Sequence, residues 1–494
     1  MGSSEILPGP AAPEEGGEIL RSHVAGAWLG GVETGRDENP AHPAQSVARV
    51  SLADIRLAER AVDAPADAWP SWATTPAPER SRLLRRTAQL ISERRIQIGT
   101  ALAMEEGRTL GEAIAETDRA AAILQYYAGQ AMEPDGETYP SHEAETLLFA
   151  RRVPIGVVLA VSPWNFPIAI PAWKIAPALA FGNTVVWKPA ETVPLTAVHL
   201  MAAFEEAGLP HGVLNLVLGR SRVVGAALTS HPRLTAITFT GSNAVGRVIQ
   251  RGAIAEGKRV QLELGGKNPA VVLRDANLAV AAEQVARGAF LSAGQKCTAT
   301  SRVIVERAIL EEFQDRLVAL ARDWPVGDPL AASTKVGPLA SAAQFERVRD
   351  LVGEATRDGA RVLVGGVEPL PGEDGYFFRP TVLAEVESGD TIAQTEVFGP
   401  VAVILPAADA AEAIALANDT PFGLSASLFT ANLAEALRFA RDCRAGVVKV
   451  NQETAGIEYQ APFGGMKQSS SGSREQGKAA REFMTEWKTI SFSP

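Results

Sequence analysis

A cysteine in a glycine-bounded loop is the first candidate for covalent chemistry. Cys297 follows the letters GQK at 294–296 and precedes an apolar run at 301–305. A loop thiol beside Lys296 is expected to have a lowered pKa, which would make it a nucleophile. The alternative is an inert buried cysteine, because cysteine is among the residues most often found in cores. The second cysteine, Cys443, lies in a helical run and is expected to be such a core residue.

A glutamate that precedes two glycines is the second candidate. Glu263 stands in the letters LELGG at 262–266. In a strand it points away from the face of Leu262 and Leu264, and the glycines end the strand and leave space beside the carboxylate. Such a carboxylate can act as a general base. A surface or ion-paired glutamate is equally compatible with the local sequence.

Three further segments suit ligand binding at strand ends. Gly241 and Ser242 precede a helical pattern and can present a helix N-terminus to phosphate, although Gly-Ser is also an ordinary helix cap. Lys188 and Glu191 follow an apolar run and can hydrogen-bond ribose hydroxyls. Asn165 stands between two prolines in the letters PWNFP and can donate to an oxyanion. Each segment alone is equally compatible with a plain turn.

Alternating apolar runs and helical patterns must position these residues. The sequence predicts strands at 157–161, 184–187, 213–217, 235–239 and 260–264, and helices at 168–181, 194–207, 221–229 and 243–255. Such alternation predicts βαβ units with a parallel sheet. Ligands bind these sheets at the carboxyl ends of strands, beside helix N-termini.

A second alternating region follows the first. Its predicted strands are 270–273, 301–305, 401–405, 424–429 and 446–450, and its helices are 278–290, 308–322, 343–357, 409–418 and 433–443. Two upstream helices are predicted at 79–93 and 111–128. Extended segments at 146–149 and 488–492 fall outside the alternating units, so either is a candidate for an arm.

Composition excludes several classes of protein. A chain of 494 residues predicts two or three domains, and a net charge of −10 gives no support for nucleic-acid binding. Two cysteines cannot form a disulfide framework, and no apolar run approaches the roughly 20 residues that cross a bilayer. The six histidines have no zinc-ligand spacing, so no metal is expected. We expect a cytoplasmic protein without a secretory signal, with a flexible tail over residues 1–20.

Six motifs, ordered along the chain, together resemble the aldehyde dehydrogenase superfamily. They are PWNFP at 163–167, FTGS at 239–242, ELGGKNP at 263–269, GQKC at 294–297, EVFGP at 396–400 and PFGG at 462–465. The similarity extends from residue 23 to residue 489, and the spacing of Glu263 and Cys297 is also similar to the family's. The resemblance implies NAD(P)-dependent oxidation of an aldehyde to a carboxylic acid through a thioester.

The resemblance also implies a role for each motif residue. Cys297 would be the nucleophile, Glu263 the base, and Asn165 an oxyanion donor together with the backbone N–H of Cys297. Lys174 matches a lysine near the site. The cofactor ligands that it implies are Trp164, Lys188, Glu191, Gly241, Ser242, Glu396 and Phe398. We expect NAD rather than NADP, because the Glu191 carboxylate would repel a 2′-phosphate.

The implied architecture is an α/β fold with three parts. The expected parts are a Rossmann-like cofactor domain at 21–139 and 154–264, a catalytic domain at 265–465, and an oligomerisation β-arm at 140–153 and 484–494. Such an arm joins subunits into homodimers or homotetramers.

The substrate is predicted from segments 168–174, 453–469 and 473–477, which are most similar to α-ketoglutaric semialdehyde (2,5-dioxopentanoate) dehydrogenases. Succinic semialdehyde dehydrogenases often carry Thr-Arg-Lys where this chain has the letters AWK at 172–174. That arginine would suit a substrate carboxylate, so its absence disfavours succinic semialdehyde and leaves a carboxylate anchor unidentified. Tyr459 and Phe463 would equally suit an aromatic or aliphatic aldehyde, or be packing residues.

Two other functions are compatible with such a fold. In a CoA-acylating relative, CoA attacks the thioester, and a water-activating Glu263 would be unnecessary. A catalytically silent structural or binding protein, as some crystallins are, would not need both Cys297 and Glu263.

Overall fold

The computed structural model describes residues 19–370, 372 and 374–494. Residues 1–18, which hold most of the predicted tail, lie outside the described residues. The sequence predicts a tail to residue 20, but Ile19–Leu20 is a strand that pairs in parallel with Arg49 and Val50. The predicted tail boundary therefore lies two residues too late.

An eight-stranded sheet contains the first set of predicted strands. In spatial order its strands are Ser470–Ser471, Arg259–Glu263, Ala236–Thr240, Val157–Val161, Thr184–Lys188, Leu214–Leu216, Ser22–Val24 and Ala27–Leu29. The five strands from Arg259–Glu263 to Leu214–Leu216 are parallel. These five confirm the prediction to within one residue at each end.

The order of strands reverses beside Val157–Val161. The next two strands along the chain, Thr184–Lys188 and Leu214–Leu216, add on one side of it. Ala236–Thr240 then adds on the other side. This reversal opens a crevice between the carboxyl ends of Val157–Val161 and Ala236–Thr240, which is where doubly wound sheets bind ligands.

Helices cover both faces of this sheet because alternate strand residues point to opposite sides. Val158 and Val185 are buried in one core and Leu159 and Val186 in the other. The helices of the first core are Ala77–Glu93, Arg95–Glu106, Leu110–Gln130, Ala169–Ala180 and Pro194–Glu206, and those of the second are Ile55–Thr74, Ser221–Thr229 and Asn243–Ala255. The predicted helices of this region are confirmed.

The second alternating region forms a seven-stranded sheet. In spatial order its strands are Arg361–Val364, Thr381–Ala384, Val401–Ala407, Thr300–Glu306, Asn268–Val272, Ser425–Phe429 and Val447–Val450. Its helices are Leu278–Phe290, Leu310–Asp323, Ala342–Arg357, Thr391–Gln394, Ala410–Asn418 and Leu433–Asp442. All strands are parallel except Arg361–Val364, at one edge. The five predicted strands are confirmed to within two residues.

A three-stranded sheet contains both segments that the sequence sets apart. Its strands are Gly136–Tyr139, Leu147–Pro154 and Thr485–Phe492, and the last two pair in an antiparallel register from Leu147 with Phe492 to Pro154 with Thr485. Leu147 is 55% exposed and its pairing partner Phe492 is 61% exposed, so the sheet presents apolar side chains at one end of these two strands. The role of the sheet in joining subunits stays a prediction, which sedimentation analysis would test.

One long helix is absent from the sequence-based prediction. Ile55–Thr74 contains Pro65 and Pro70, and proline normally disfavours a helix interior. The helix forms because Ala61 and Val62 are fully buried against the sheet. The smaller elements are strands Glu33–Glu38, Ser46–Leu52, Phe422–Gly423 and Met466–Lys467, and helix Ala480–Met484. Among the described helices none has both the length and the apolar character needed to span a membrane.

Candidate active site

Two cavities meet at Cys297. The first lies at the sheet's reversal point and is lined by Trp164, Gly241, Ser242, Glu396 and Phe398, among others. The second lies beside helix Leu110–Gln130 and is lined by charged and aromatic side chains. Cys297 lines both cavities, so it lies where two possible ligand sites adjoin.

Cys297 is held by a strained turn. Ser292 and Ala293 have φ angles of 55° and 50°, and a Cβ at Gly294, whose φ is also positive, would overlap the carbonyl of Gly399. The Asn268 side chain donates to the Cys297 carbonyl at 2.8 Å. Glycine at 294 is therefore required both by its backbone conformation and by the close approach of another chain segment.

The thiol of Cys297 is not activated in the way that the sequence predicts. Burial, with smaller contributions from the charges of Glu396 and Glu263, raises its pKa to about 12, against backbone N–H groups of Thr298 and Cys297 that lower it. Lys296 does not reverse this effect, since its ammonium group is buried and donates to the Arg287 carbonyl at 3.2 Å. The prediction of a thiol pKa lowered by Lys296 is wrong.

Asn165 lies beside the thiol in the first cavity. Its side-chain nitrogen Nδ2 donates to the Gln295 carbonyl at 3.0 Å, and its own carbonyl accepts from Arg108. The side chain is 3% exposed, so its orientation is fixed by the protein. One N–H of the amide is used in this way, which leaves the second N–H for a ligand oxygen.

Glu263 ends its strand as predicted, but its carboxylate is held by a residue that the sequence does not single out. Its Oε2 accepts from the Ser470 hydroxyl at 2.6 Å, and its Oε1 has no partner among the described residues. Burial raises the pKa of Glu263 well above its usual value, and Glu475 adds to the rise. Ser470, Lys174 and Arg474 act in the opposite direction. Burial and Glu475 therefore favour the protonated form of this carboxyl group.

Lys174 is part of a buried network next to this carboxyl group. Its ammonium group pairs with Glu475 and donates to the Thr238 hydroxyl at 3.0 Å. Trp173 donates to the other oxygen of Glu475 at 2.8 Å. The lysine is 1% exposed and lines neither cavity, and its charge acts to lower the pKa of Glu263.

The first cavity brings together most of the predicted cofactor ligands. Ser242 caps helix Asn243–Ala255 through Val245, and Trp164 packs edge-to-face on Phe398 at 5.3 Å between ring centroids. The Glu396 carboxylate accepts from the Gly266 N–H at 2.8 Å, and burial raises its pKa to about 7. A Cβ at Gly265 would overlap this carboxylate. A side chain at position 265, two residues after the end of the strand, would therefore displace Glu396.

Lys188 and Glu191 follow the neighbouring strand and do not line the first cavity. Lys188 is buried, donates to the Pro189 carbonyl at 2.7 Å, and has its pKa lowered to about 8 by burial. Glu191 is exposed, and its carboxylate accepts from the Ser221 N–H at 2.6 Å, at the start of helix Ser221–Thr229. These contacts hold both groups at the carboxyl end of strand Thr184–Lys188, which pairs with Val157–Val161.

Two aromatic residues named by the sequence analysis pack behind the second cavity. Phe463 is 2% exposed and packs against Trp173, which lines that cavity, and Tyr459 packs edge-to-face on Tyr126. Neither is itself part of the cavity lining, and a role of either in substrate binding stays a prediction. The residues that sequence reasoning missed are Ser470 and Glu475. Their only local signal is the polar run that follows the PFGG motif.

Comparison with known proteins gives the family. A model described as "Aldehyde dehydrogenase family" matches residues 28–490. An α-ketoglutaric semialdehyde dehydrogenase of Bacillus subtilis is 47% identical over 92% of this chain and 94% of that protein, and an α-ketoglutarate semialdehyde dehydrogenase of Haloferax volcanii is 42% identical over 95% and 98%.

A crystal structure of betaine aldehyde dehydrogenase from Staphylococcus aureus in complex with NAD+ superposes with a TM-score of 0.93. It is 34% identical and covers 96% of this chain and 94% of its own. With a reversed-order parallel sheet, a cysteine between two cavities and a match over nearly its whole length, this chain belongs to the aldehyde dehydrogenase family and is an aldehyde dehydrogenase.

Proposed function

We propose that the chain oxidises α-ketoglutaric semialdehyde to 2-oxoglutarate, with NAD as the hydride acceptor and Cys297 as the nucleophile. The observation that carries this proposal is that Cys297 lines both cavities. An aldehyde that enters from the second cavity and bonds to the sulfur can lose a hydride toward a dinucleotide in the first. The names of the Bacillus subtilis and Haloferax volcanii relatives support the choice of substrate.

The first step is addition of the Cys297 thiolate to the aldehyde carbon, which converts the carbonyl oxygen into an alkoxide. The backbone N–H groups of Cys297 and Thr298 favour negative charge at the sulfur. The free N–H of the Asn165 amide donates to the alkoxide. Because this amide is already fixed by Gln295, it stabilises the developing charge without reorganising.

The second half of the reaction begins when the tetrahedral carbon loses a hydride and a thioester remains on Cys297. NAD, when bound, accepts this hydride. Glu263 then takes a proton from a water molecule whose oxygen attacks the thioester carbon. The C–S bond breaks, the carboxylic acid leaves, and the sulfur is again available. Since Glu263 faces Ser470 and lines neither cavity, its side chain rotates to reach this water.

The first cavity fits a dinucleotide. Ser242 places a helix N-terminus at the cavity wall, where phosphate is favoured. The buried hydroxyl of Thr240, which also lines the cavity, has no hydrogen-bond partner among the described residues and is available to a ligand. The Glu396 carboxylate suits ribose hydroxyls. Trp164, Gly241 and Phe398 would complete the site.

NAD is expected to be the better cofactor. Glu191 is fixed by the Ser221 N–H, so its carboxylate is held near the expected position of the adenosine ribose, where it would repel a 2′-phosphate. Like charges brought together at a binding site cost several kcal/mol, so we expect kcat/KM to be roughly tenfold or more higher for NAD than for NADP. Steady-state kinetics with both cofactors measure this ratio. A higher kcat/KM for NADP would refute the preference. Glu191→Thr should reduce the ratio of kcat/KM for NAD to that for NADP.

The substrate proposal is tested with a panel of aldehydes. We expect kcat/KM to be higher for α-ketoglutaric semialdehyde than for succinic semialdehyde, benzaldehyde or a medium-chain aliphatic aldehyde. If an uncharged aldehyde is better by tenfold, which is about 1.4 kcal/mol of transition-state binding, the substrate proposal fails. The family assignment would be unaffected.

A further inference from the structure

The second cavity contains three cationic side chains, and each has a different environment. They are Arg108, Arg119 and Lys296, on its wall together with Cys297. A substrate with an aldehyde at one end and a carboxylate at the other needs a cation at a distance from the sulfur. That carboxylate can bind only to a cation whose N–H donors are not already paired with a carboxylate of the protein.

Arg108 is already paired with two carboxylates, although its Nε has no hydrogen-bond partner among the described residues. Its guanidinium group pairs with Glu116 at 2.6 Å and lies 3.4 Å from Glu106, and it also donates to the Asn165 carbonyl. Its flat face lies 4.2 Å from the centre of the Phe166 ring. Arg108 is 3% exposed, so its ion pairs are buried in the protein. Its role is structural, because it holds the backbone carbonyl of Asn165 in place.

The positive charge of Lys296 is balanced by carboxylates that line the same cavity. Burial lowers the pKa of its ammonium group, and Glu453 and Glu112 act to raise it. Both glutamates line the cavity, as Glu116 does. The ammonium group is already bonded to the Arg287 carbonyl, so it is poorly placed to attract a second anion.

Arg119 is the cation that has free N–H donors and no carboxylate partner among the described residues. It is half-buried in helix Leu110–Gln130, and its Nη1 donates to the Ile457 carbonyl at 2.6 Å. Among the described residues it forms no ion pair and no other hydrogen bond, which leaves Nε and Nη2 for a ligand. Burial lowers the pKa of nearby Lys449, and the charge of Arg119 adds to this effect while Glu453 and Glu458 oppose it.

We propose that Arg119 binds the carboxylate of the substrate and is the residue that makes this site select an α-keto acid aldehyde. This inference rests on the proposed function. The guanidinium group recognises a carboxylate with two parallel N–H donors, which fixes orientation as well as charge. The helix opposite the letters AWK supplies the cation that those letters lack. Trp173, at the place of the missing arginine, is committed to Glu475.

The experiment compares two aldehydes of equal carbon number, α-ketoglutaric semialdehyde and pentanal, in wild-type enzyme and in Arg119→Gln and Arg119→Lys. In Arg119→Gln we expect kcat/KM for the keto acid to fall by about a hundredfold, mostly through KM, because a buried charge pair is lost. For pentanal it should change less than about threefold. In Arg119→Lys, kcat/KM for the keto acid should lie between the values for wild type and Arg119→Gln. Lysine keeps the positive charge but lacks the two parallel N–H donors of the guanidinium group. Arg85→Gln, at an exposed arginine of helix Ala77–Glu93, is the matched control and should match wild type.

The outcomes separate this inference from the function on which it rests. A wild-type enzyme that does not prefer the keto acid over pentanal refutes the proposed substrate, whatever the variants do. A wild-type preference that survives in Arg119→Gln leaves the substrate standing and overturns the role of Arg119. An equal loss for both aldehydes also overturns it, because Arg119 would then serve only to hold the Ile457 loop.

Discussion

Replacing Cys297 with Ala is expected to reduce aldehyde oxidation by roughly 10⁴-fold or more, which is the scale seen when a catalytic nucleophile is removed. Without the sulfur neither the tetrahedral adduct nor the thioester can form. The measurement is the appearance of reduced cofactor with α-ketoglutaric semialdehyde. NAD affinity, measured by calorimetry, should change little, because many other residues line the first cavity, where we propose that the cofactor binds.

The chain provides a matched control for this variant. Cys443 is 6% exposed at the end of helix Leu433–Asp442 and lines neither cavity. Cys443→Ala should keep wild-type turnover, with at most a modest loss of thermal stability. Normal oxidation by Cys297→Ala, or a loss in Cys443→Ala as large as in Cys297→Ala, would overturn the assignment of the nucleophile.

Replacing Glu263 with Gln is expected to slow deacylation while acylation stays fast. Rapid mixing should then give a burst of reduced cofactor close to the enzyme concentration, followed by turnover that is slower by about 10²–10⁴-fold, as for loss of a general base. Glu283→Gln, at an exposed glutamate of helix Leu278–Phe290, should show wild-type turnover. If the burst disappears together with turnover, Glu263 activates Cys297 instead and the proposed role is wrong.

The pH dependence gives the same prediction a second test. In the proposed mechanism the basic form of Glu263 is the active one, and burial raises the pKa at which this form appears. Deacylation by wild-type enzyme should therefore become faster as pH rises, by about tenfold per pH unit until the pKa is reached. In Glu263→Gln this dependence should be lost. A wild-type rate that falls with rising pH would contradict the raised pKa.

The sequence by itself determined the order and bounds of most parallel strands, because apolar runs and their flanking helical patterns are local signals. It also determined that Asn165, Gly241 and Ser242 follow predicted strands, and the order of strands in the sheet then brings all three to one cavity. It did not reveal helix Ile55–Thr74, because Pro65 and Pro70 break the local pattern. Only burial against the sheet makes that helix stable.

The tertiary structure decided the electrostatics of the site. The pKa of Cys297 rises because the thiol is buried and because the charges of Glu396 and Glu263 act on it. Glu263 is held by Ser470 although the two are 207 residues apart along the chain. Arg119 reaches the cavity of Cys297 from a helix that carries none of the six motifs. Burial and distant charges set these properties, and neither is encoded in any local run of residues.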